Sequence, residues 1–223
     1  MTHPQSENAK LTDSAAVPGN VRTAQSERRR ADIIKAAKEV LAQGYAEFSL
    51  RKVAAAAGVR LNTVQHHFGD LDSLILSTIE SSVEEFMRYS QQLAEGRYDC
   101  ATDDLNVFLD DAWVLIRDAN VRNLYFEVWA MARHRPAVAE LIERIYSDYL
   151  GALAPILRRI NPSLTEAEAR TTATLISCWT EGAIVMAHWG GSGMPSLGLL
   201  GIRMKAACLA LVGTSDGHTS PRI

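Results

Sequence analysis

The sequence predicts an all-α protein: a three-helix amino-terminal unit built round a helix-turn-helix, followed by a larger helical body. Three observations carry this. Between Ser49 and Phe68, two short runs with apolar faces flank Gly58, which spells two helices and a tight turn. From Leu105 to Val212 apolar residues recur at helical spacing, with no alternating strand pattern and no internal repeat. Capping residues, glycines and prolines fall between these runs, where helices start and stop.

Residues 1–25 are polar, contain Pro4, Pro18 and Gly19, and have the composition of a disordered tail. They lack the apolar stretch of a signal peptide. Order is expected from Ser26, with Arg28, Arg29 and Arg30 leading an amphipathic helix through Ile33, Ile34, Ala37, Val40 and Leu41 that Gly44 ends. The arginines either touch phosphate or simply begin a helix in solvent. Ser49 can cap the next helix, whose Leu50, Val53, Ala54 and Ala57 give the 3, 4, 7 spacing of one apolar face. Gly58 suits a left-handed helix end. A second short helix runs from Leu61 to His67, closed by Phe68 and Gly69.

That second helix exposes Arg60, Asn62, Thr63, Gln65 and His66, donors and acceptors without a carboxylate, as suits phosphates and base edges. A buried helical hairpin shares the spacing but not this charge. Residues 22–73 carry 9 Lys and Arg against 6 Asp and Glu, a local +3, while the remainder carries 14 against 20, or −6. A mildly basic end on an acidic body fits one DNA-facing end of a chain whose net charge is −3.

From Arg28 to Leu74 the chain resembles the amino-terminal domain of TetR/AcrR-type transcriptional regulators. Ser49, Val53, Ala54, Gly58, Val59, Thr63, His67, Phe68 and Leu74 fall at the family spacing. It departs where the family usually has tyrosine, here Gln65, and where lysine often opens the next helix, here Leu71-Asp72. The resemblance implies a DNA-binding domain over residues 26–70, a ligand-binding and dimerisation domain over 71–212, and a loose tail over 213–223. It further implies a homodimer, pairing its last two helices in a four-helix bundle and reading a palindromic double-stranded DNA operator, most often as a repressor. His67 then takes the family's packing role. Gln65 is the best direct reader, since it can pair with adenine, with Thr63 suited to a thymine methyl and Arg60 and His66 next. Backbone N–H groups near Ser49, Leu50, Leu61 and Asn62 can hold phosphates.

In the body, Asp70 can cap a long helix burying Leu71, Leu74, Ile75, Thr78, Ile79, Val83, Phe86 and Met87, before Gly96 and the polar 99–104 stretch break the pattern. A helix through Val107, Phe108, Ala112, Trp113 and Ile116 stops near Ala119. The next, Val121 to His134, is apolar almost all round and belongs mid-bundle. Pro136 starts a helix that Pro155 should kink or restart and Asn161-Pro162 ends. Thr165 to Glu168 is a capping box opening a helix to Trp189. Ser196 opens the last helix after the Gly190–Pro195 break.

Trp113, Tyr125, Phe126, Trp129, Tyr146, Tyr149 and Trp179 are candidates to enclose an apolar effector. At 100° per residue, Thr174, Ser177, Glu181 and His188 share one side of their helix, opposite Leu175, Trp179, Met186 and Trp189. This stripe either faces water, or lines a cavity or subunit contact where Glu181 has a partner; Arg133 and His134 are candidates. Ala169, Thr172, Ala173, Ala183 and Ala187 on one helix, and Gly201, Ala206, Ala207 and Ala210 on the other, would let two protomers approach closely. Cys100, Cys178 and Cys208 are too scattered for a disulfide framework or metal set, are expected as small buried hydrophobes, and fit a reducing cytoplasm. No cofactor, metal or membrane span is expected. The rival readings are a helical sensor or adaptor without DNA binding, and an enzyme using Glu181 and His188.

Overall fold

The structure, a computed structural model, describes residues 18–213, with side chains from Thr23. The expectations for residues 1–17 and 214–223 lie outside the described residues. Among the described residues nine α-helices follow one another: α1 Pro18–Ala42, α2 Leu50–Ala56, α3 Leu61–Phe68, α4 Leu71–Ala94, α5 Ala101–Arg117, α6 Ala119–Ala132, α7 Pro136–Ile160, α8 Glu166–Trp189 and α9 Leu197–Gly213. Among the described residues there is no strand, and no helix is long and apolar enough to cross a membrane.

Several boundaries differ from expectation: α5 starts at Ala101, inside the stretch read as a break, α6 spans Ala119–Ala132 rather than Val121 to His134, and two differences involve prolines. α1 begins at Pro18, inside the stretch read as tail: proline's fixed φ suits a first helical turn, where its missing N–H costs nothing. α7 runs through Pro155 without restarting. The carbonyl deprived of its partner belongs to Gly151, and both residues face solvent, where water can satisfy it.

α1, α2 and α3 pack through Ile33, Ala37, Leu41, Val53, Val64 and Phe68. The same core continues into Leu74, Ile75 and Ile79 of α4, Leu124, Val128 and Met131 of α6, and Val138 and Leu141 of α7. At the opposite end, α5, α7, α8 and α9 bury Phe108, Leu153, Ile156, Ile176 and Cys208. The α4–α5 loop is fixed there by the wholly buried Asp104. Its Oδ1 accepts from the N–H groups of Arg97 (3.1 Å) and Tyr98 (3.2 Å), and its Oδ2 from Arg159 Nη1 at 2.9 Å. Arg159 Nη2 donates to the Leu93 carbonyl, closing the end of α4. Removing one partner of such a pair strands the other without compensation. Asp104→Ala should cost about 3 kcal/mol, lowering the melting temperature by about 6–12 °C for a chain of this length, as read by circular dichroism.

Candidate functional site

The recognition unit is assembled by local chemistry. Ser49 Oγ accepts from Lys52 N–H at 3.2 Å and caps α2. At its other end Gly58 takes φ +63°. Val59 N–H reaches the Ala54 carbonyl at 2.9 Å and Gly58 N–H the Ala55 carbonyl at 3.2 Å. This pair of bonds is a Schellman ending, and it sets the angle at which the chain enters α3. Val64 and Phe68, one turn apart, anchor α3 in the core. Arg60, Asn62, Gln65 and His66 are left exposed, with Leu61, Thr63 and His67 half-buried, as are Ser49 and Leu50.

Asp70 Oδ1 caps α4 through Ser73 N–H at 2.8 Å, whereas α3 has no side-chain cap. The N–H groups of Leu61 and Asn62 are therefore open to an anion, while that of Thr63 turns back to the Arg60 carbonyl at 2.9 Å. Burial, followed by the charges of His66, Arg30 and Arg29, lowers the His67 pKa. Arg30 lies over the Phe68 ring at 5.1 Å and donates to Ser77 Oγ at 3.4 Å. Asp72 is paired with Arg135, which also donates to the Tyr45 hydroxyl. Tyr45 N–H in turn donates to Glu127 of α6 at 2.9 Å. The unit is thus pinned to the α6–α7 junction by polar contacts as well as by the shared core.

The body holds a cavity of about 90 Å³ between α4, α5, α6, α7 and α8. Tyr125, Trp129, Tyr146, Tyr149 and Glu181 line it, together with aliphatic residues such as Val83, Leu115, Ile142 and Ile145 that the sequence did not mark as pocket residues. Nothing in their sequence distinguishes such residues from ordinary core. The other expected residues lie elsewhere. Trp113 is buried against Gly201, its indole N–H on the Leu197 carbonyl at 3.0 Å. Phe126 packs on His188 and Trp189, with centroids at 5.0 and 4.4 Å. Ser177 is buried outside the lining, and Trp179 lies on the outer face of α8. Arg133 and His134 are exposed at the end of α6. Glu181 and His188 are two turns apart, and His188 does not line the cavity.

The partner of Glu181 is Tyr146, whose hydroxyl donates to Oε1 at 3.0 Å while accepting from the Trp129 indole at 3.1 Å. Burial pushes the Glu181 carboxyl up to about 7, with the Tyr146 bond acting against the rise. Burial foremost also raises the phenols of Tyr125, Tyr146 and Tyr149, which stay protonated.

Two further expectations are corrected. Ala169, Ala173, Ala183 and Gly201 pack inside their own protomer, leaving Ala206, Ala207 and Ala210 exposed. Beside these alanines, the exposed face of α8 and α9 carries large residues: Leu175, Trp179, Met186, Trp189, Leu199 and Ile202. Cys100 and Cys178 are exposed; only Cys208 is buried. An apolar helix face fixes that a residue is covered, not which neighbour covers it.

Fold and site together define a helix-turn-helix protein carrying a cavity-bearing helical body. Residues 33–78 match the profile of the bacterial regulatory proteins, tetR family. The amino-terminal domain is thus of the kind found in that family of bacterial regulators. Over 192 residues it is 22% identical to the HTH-type transcriptional regulator BetI of Stenotrophomonas maltophilia (strain R551-3), covering 81% of this chain and 95% of that one. Among solved structures, it shares its fold with FadR from Bacillus subtilis in complex with stearoyl-CoA, at a TM-score of 0.68 and 20% identity, over 81% of this chain and 98% of FadR. SmeT, the repressor of the Stenotrophomonas maltophilia multidrug efflux pump SmeDEF, superposes at a TM-score of 0.64 and 20% identity, over 87% and 96%.

The folded chain holds the Glu181 proton to about pH 7, whereas the unfolded chain releases it near 4.5. Stability therefore falls as pH rises between those values, and the penalty is complete above about 7. Replacing Glu181 by Gln should remove this slope and, above that pH, stabilise the fold by up to about 3 kcal/mol. Urea unfolding of both proteins between pH 5 and 8 reads the difference.

Proposed function

We propose that the chain is a homodimeric, sequence-specific DNA-binding repressor, released from a palindromic operator by a small, mostly apolar effector bound in the body. The observation that carries this is the outer face of α3, with Arg60, Asn62, Gln65 and His66 exposed and Thr63 half-buried, no carboxylate and an uncapped amino terminus. A two-fold pair of such helices reads a palindrome. The apolar face on α8 and α9 supports a dimer, because monomers rarely leave so large a patch in water. The cavity supports an effector site, and the FadR complex shows that one relative of this fold is bound by a ligand. By linkage, an effector that weakens operator binding is itself bound more weakly in the presence of the operator, by the same factor. A regulator of this kind works in the cytoplasm.

Selection from a random duplex library at one salt concentration tests the reading. Wild type should enrich a palindrome, and Gln65→Ala should relax one symmetric base pair, with a loss of about 1–3 kcal/mol at that position. No enrichment by either protein would favour a sensor that does not bind DNA. Ile202, 66% exposed, can be changed to Asp with little cost to folding. Light scattering should then find half the wild-type mass; an unchanged mass would place the dimer contact elsewhere.

A further inference from the structure

The cavity has a charge problem that the fold does not solve. Its walls are aliphatic and aromatic, and the residues that line it include one acid and no Lys, Arg or His. The acid is Glu181. Tyr146 spends its one hydrogen on Oε1, and the Trp129 indole orients Tyr146 for that purpose. Oε2 is shut off from solvent and has no hydrogen-bond partner among the described residues. A buried carboxylate oxygen without a donor is costly, and an apolar side chain there would pack without that cost. The donor chain holds the carboxyl group in one orientation, with its second oxygen free.

We propose that the cavity takes an organic ammonium: an apolar body bearing a protonated amine that donates to Oε2 of Glu181. The proposal rests on reading the body as the effector-binding part. An ammonium supplies both things Oε2 lacks, a donor and an opposite charge, in a space where charge-assisted bonds are strong. The rings of Tyr125, Trp129, Tyr146 and Tyr149 line the same space and can add cation–π attraction. A carboxylate ligand would meet only another carboxylate. A neutral alcohol could donate one hydrogen bond but would leave the charge uncompensated. Burial raises the pKa of this carboxyl to about 7, so at pH 8 it carries the charge that an ammonium would meet. At about 10–15 Å³ for one water-sized group, the cavity as it stands holds about six to nine such groups. 2-Phenylethylamine is of that size.

The test is calorimetric titration of the full chain at pH 8 and fixed salt with 2-phenylethylamine, 2-phenylethanol and phenylacetate. The amine should bind at least about tenfold more tightly than the alcohol, with phenylacetate weakest. In Glu181→Gln the amine and alcohol should agree within about twofold. Tyr146→Phe keeps the carboxylate and should keep the amine preference, which separates loss of charge from loss of cavity shape. The proposal is overturned if the amine fails to bind or merely matches the alcohol, if Glu181→Gln keeps the preference, or if Tyr146→Phe loses it. Duplex selection tells this failure from that of the regulator: enrichment without amine preference removes only the ligand class, and amine preference without enrichment removes only DNA binding.

Discussion

The recognition unit shares its core with the body. Two helices of seven and eight residues and one face of α1 bury too little surface to hold a fixed geometry alone. Leu74, Ile75 and Ile79 of α4 and Leu124, Val128 and Met131 of α6 complete that core, so the body is structurally part of the unit that presents α3. Ile79, Leu124 and Val128 also line the cavity. One layer of side chains therefore separates an occupant of the cavity from the residues on which α3 rests. Close-packed side chains yield by switching arrangement rather than by gradual compression, which gives a change in the cavity a short physical route to α3.

Asp104 and Glu181 show how differently a fold can treat the same group. Asp104 meets three donors and ties a loop to α4 and α7. Its chemistry is complete, and its role is architectural. Glu181 meets one donor and leaves an oxygen bare in an apolar space. A fold that can satisfy one acid so fully has no structural need for the other, and that contrast is what directs attention to a ligand.

The α2–α3 pair was legible almost residue by residue, because Ser49, Gly58 and Asp70 act on neighbours a few positions away and their chemistry is local. The long helices were legible for the same reason, through Thr165, Pro136 and Ser196. The cavity was not. Tyr125, Trp129, Tyr146, Tyr149 and Glu181 do meet there, but Trp113, Phe126 and Trp179 carry the same composition signal and lie elsewhere. α8 is apolar on opposite sides, one against its own protomer and one outward. Helical angle groups the residues of each side without saying which side turns inward. Asp72 is similar: as a departure from the family it suggests altered docking, and only the fold shows Arg135 of the α6–α7 junction beside it.

The central claim is that α3 depends on the wall it shares with the cavity. The most direct measurement is the affinity of an enriched duplex for Val128→Ala against wild type, at one salt concentration. Val128 is 7% exposed and lies on α6, so the substitution alters no atom of the α3 surface. The account predicts a change of about 1 kcal/mol, about fivefold in Kd. An affinity unchanged within about twofold, in a protein that still folds, would mean that α3 is held without reference to the body, and would contradict it.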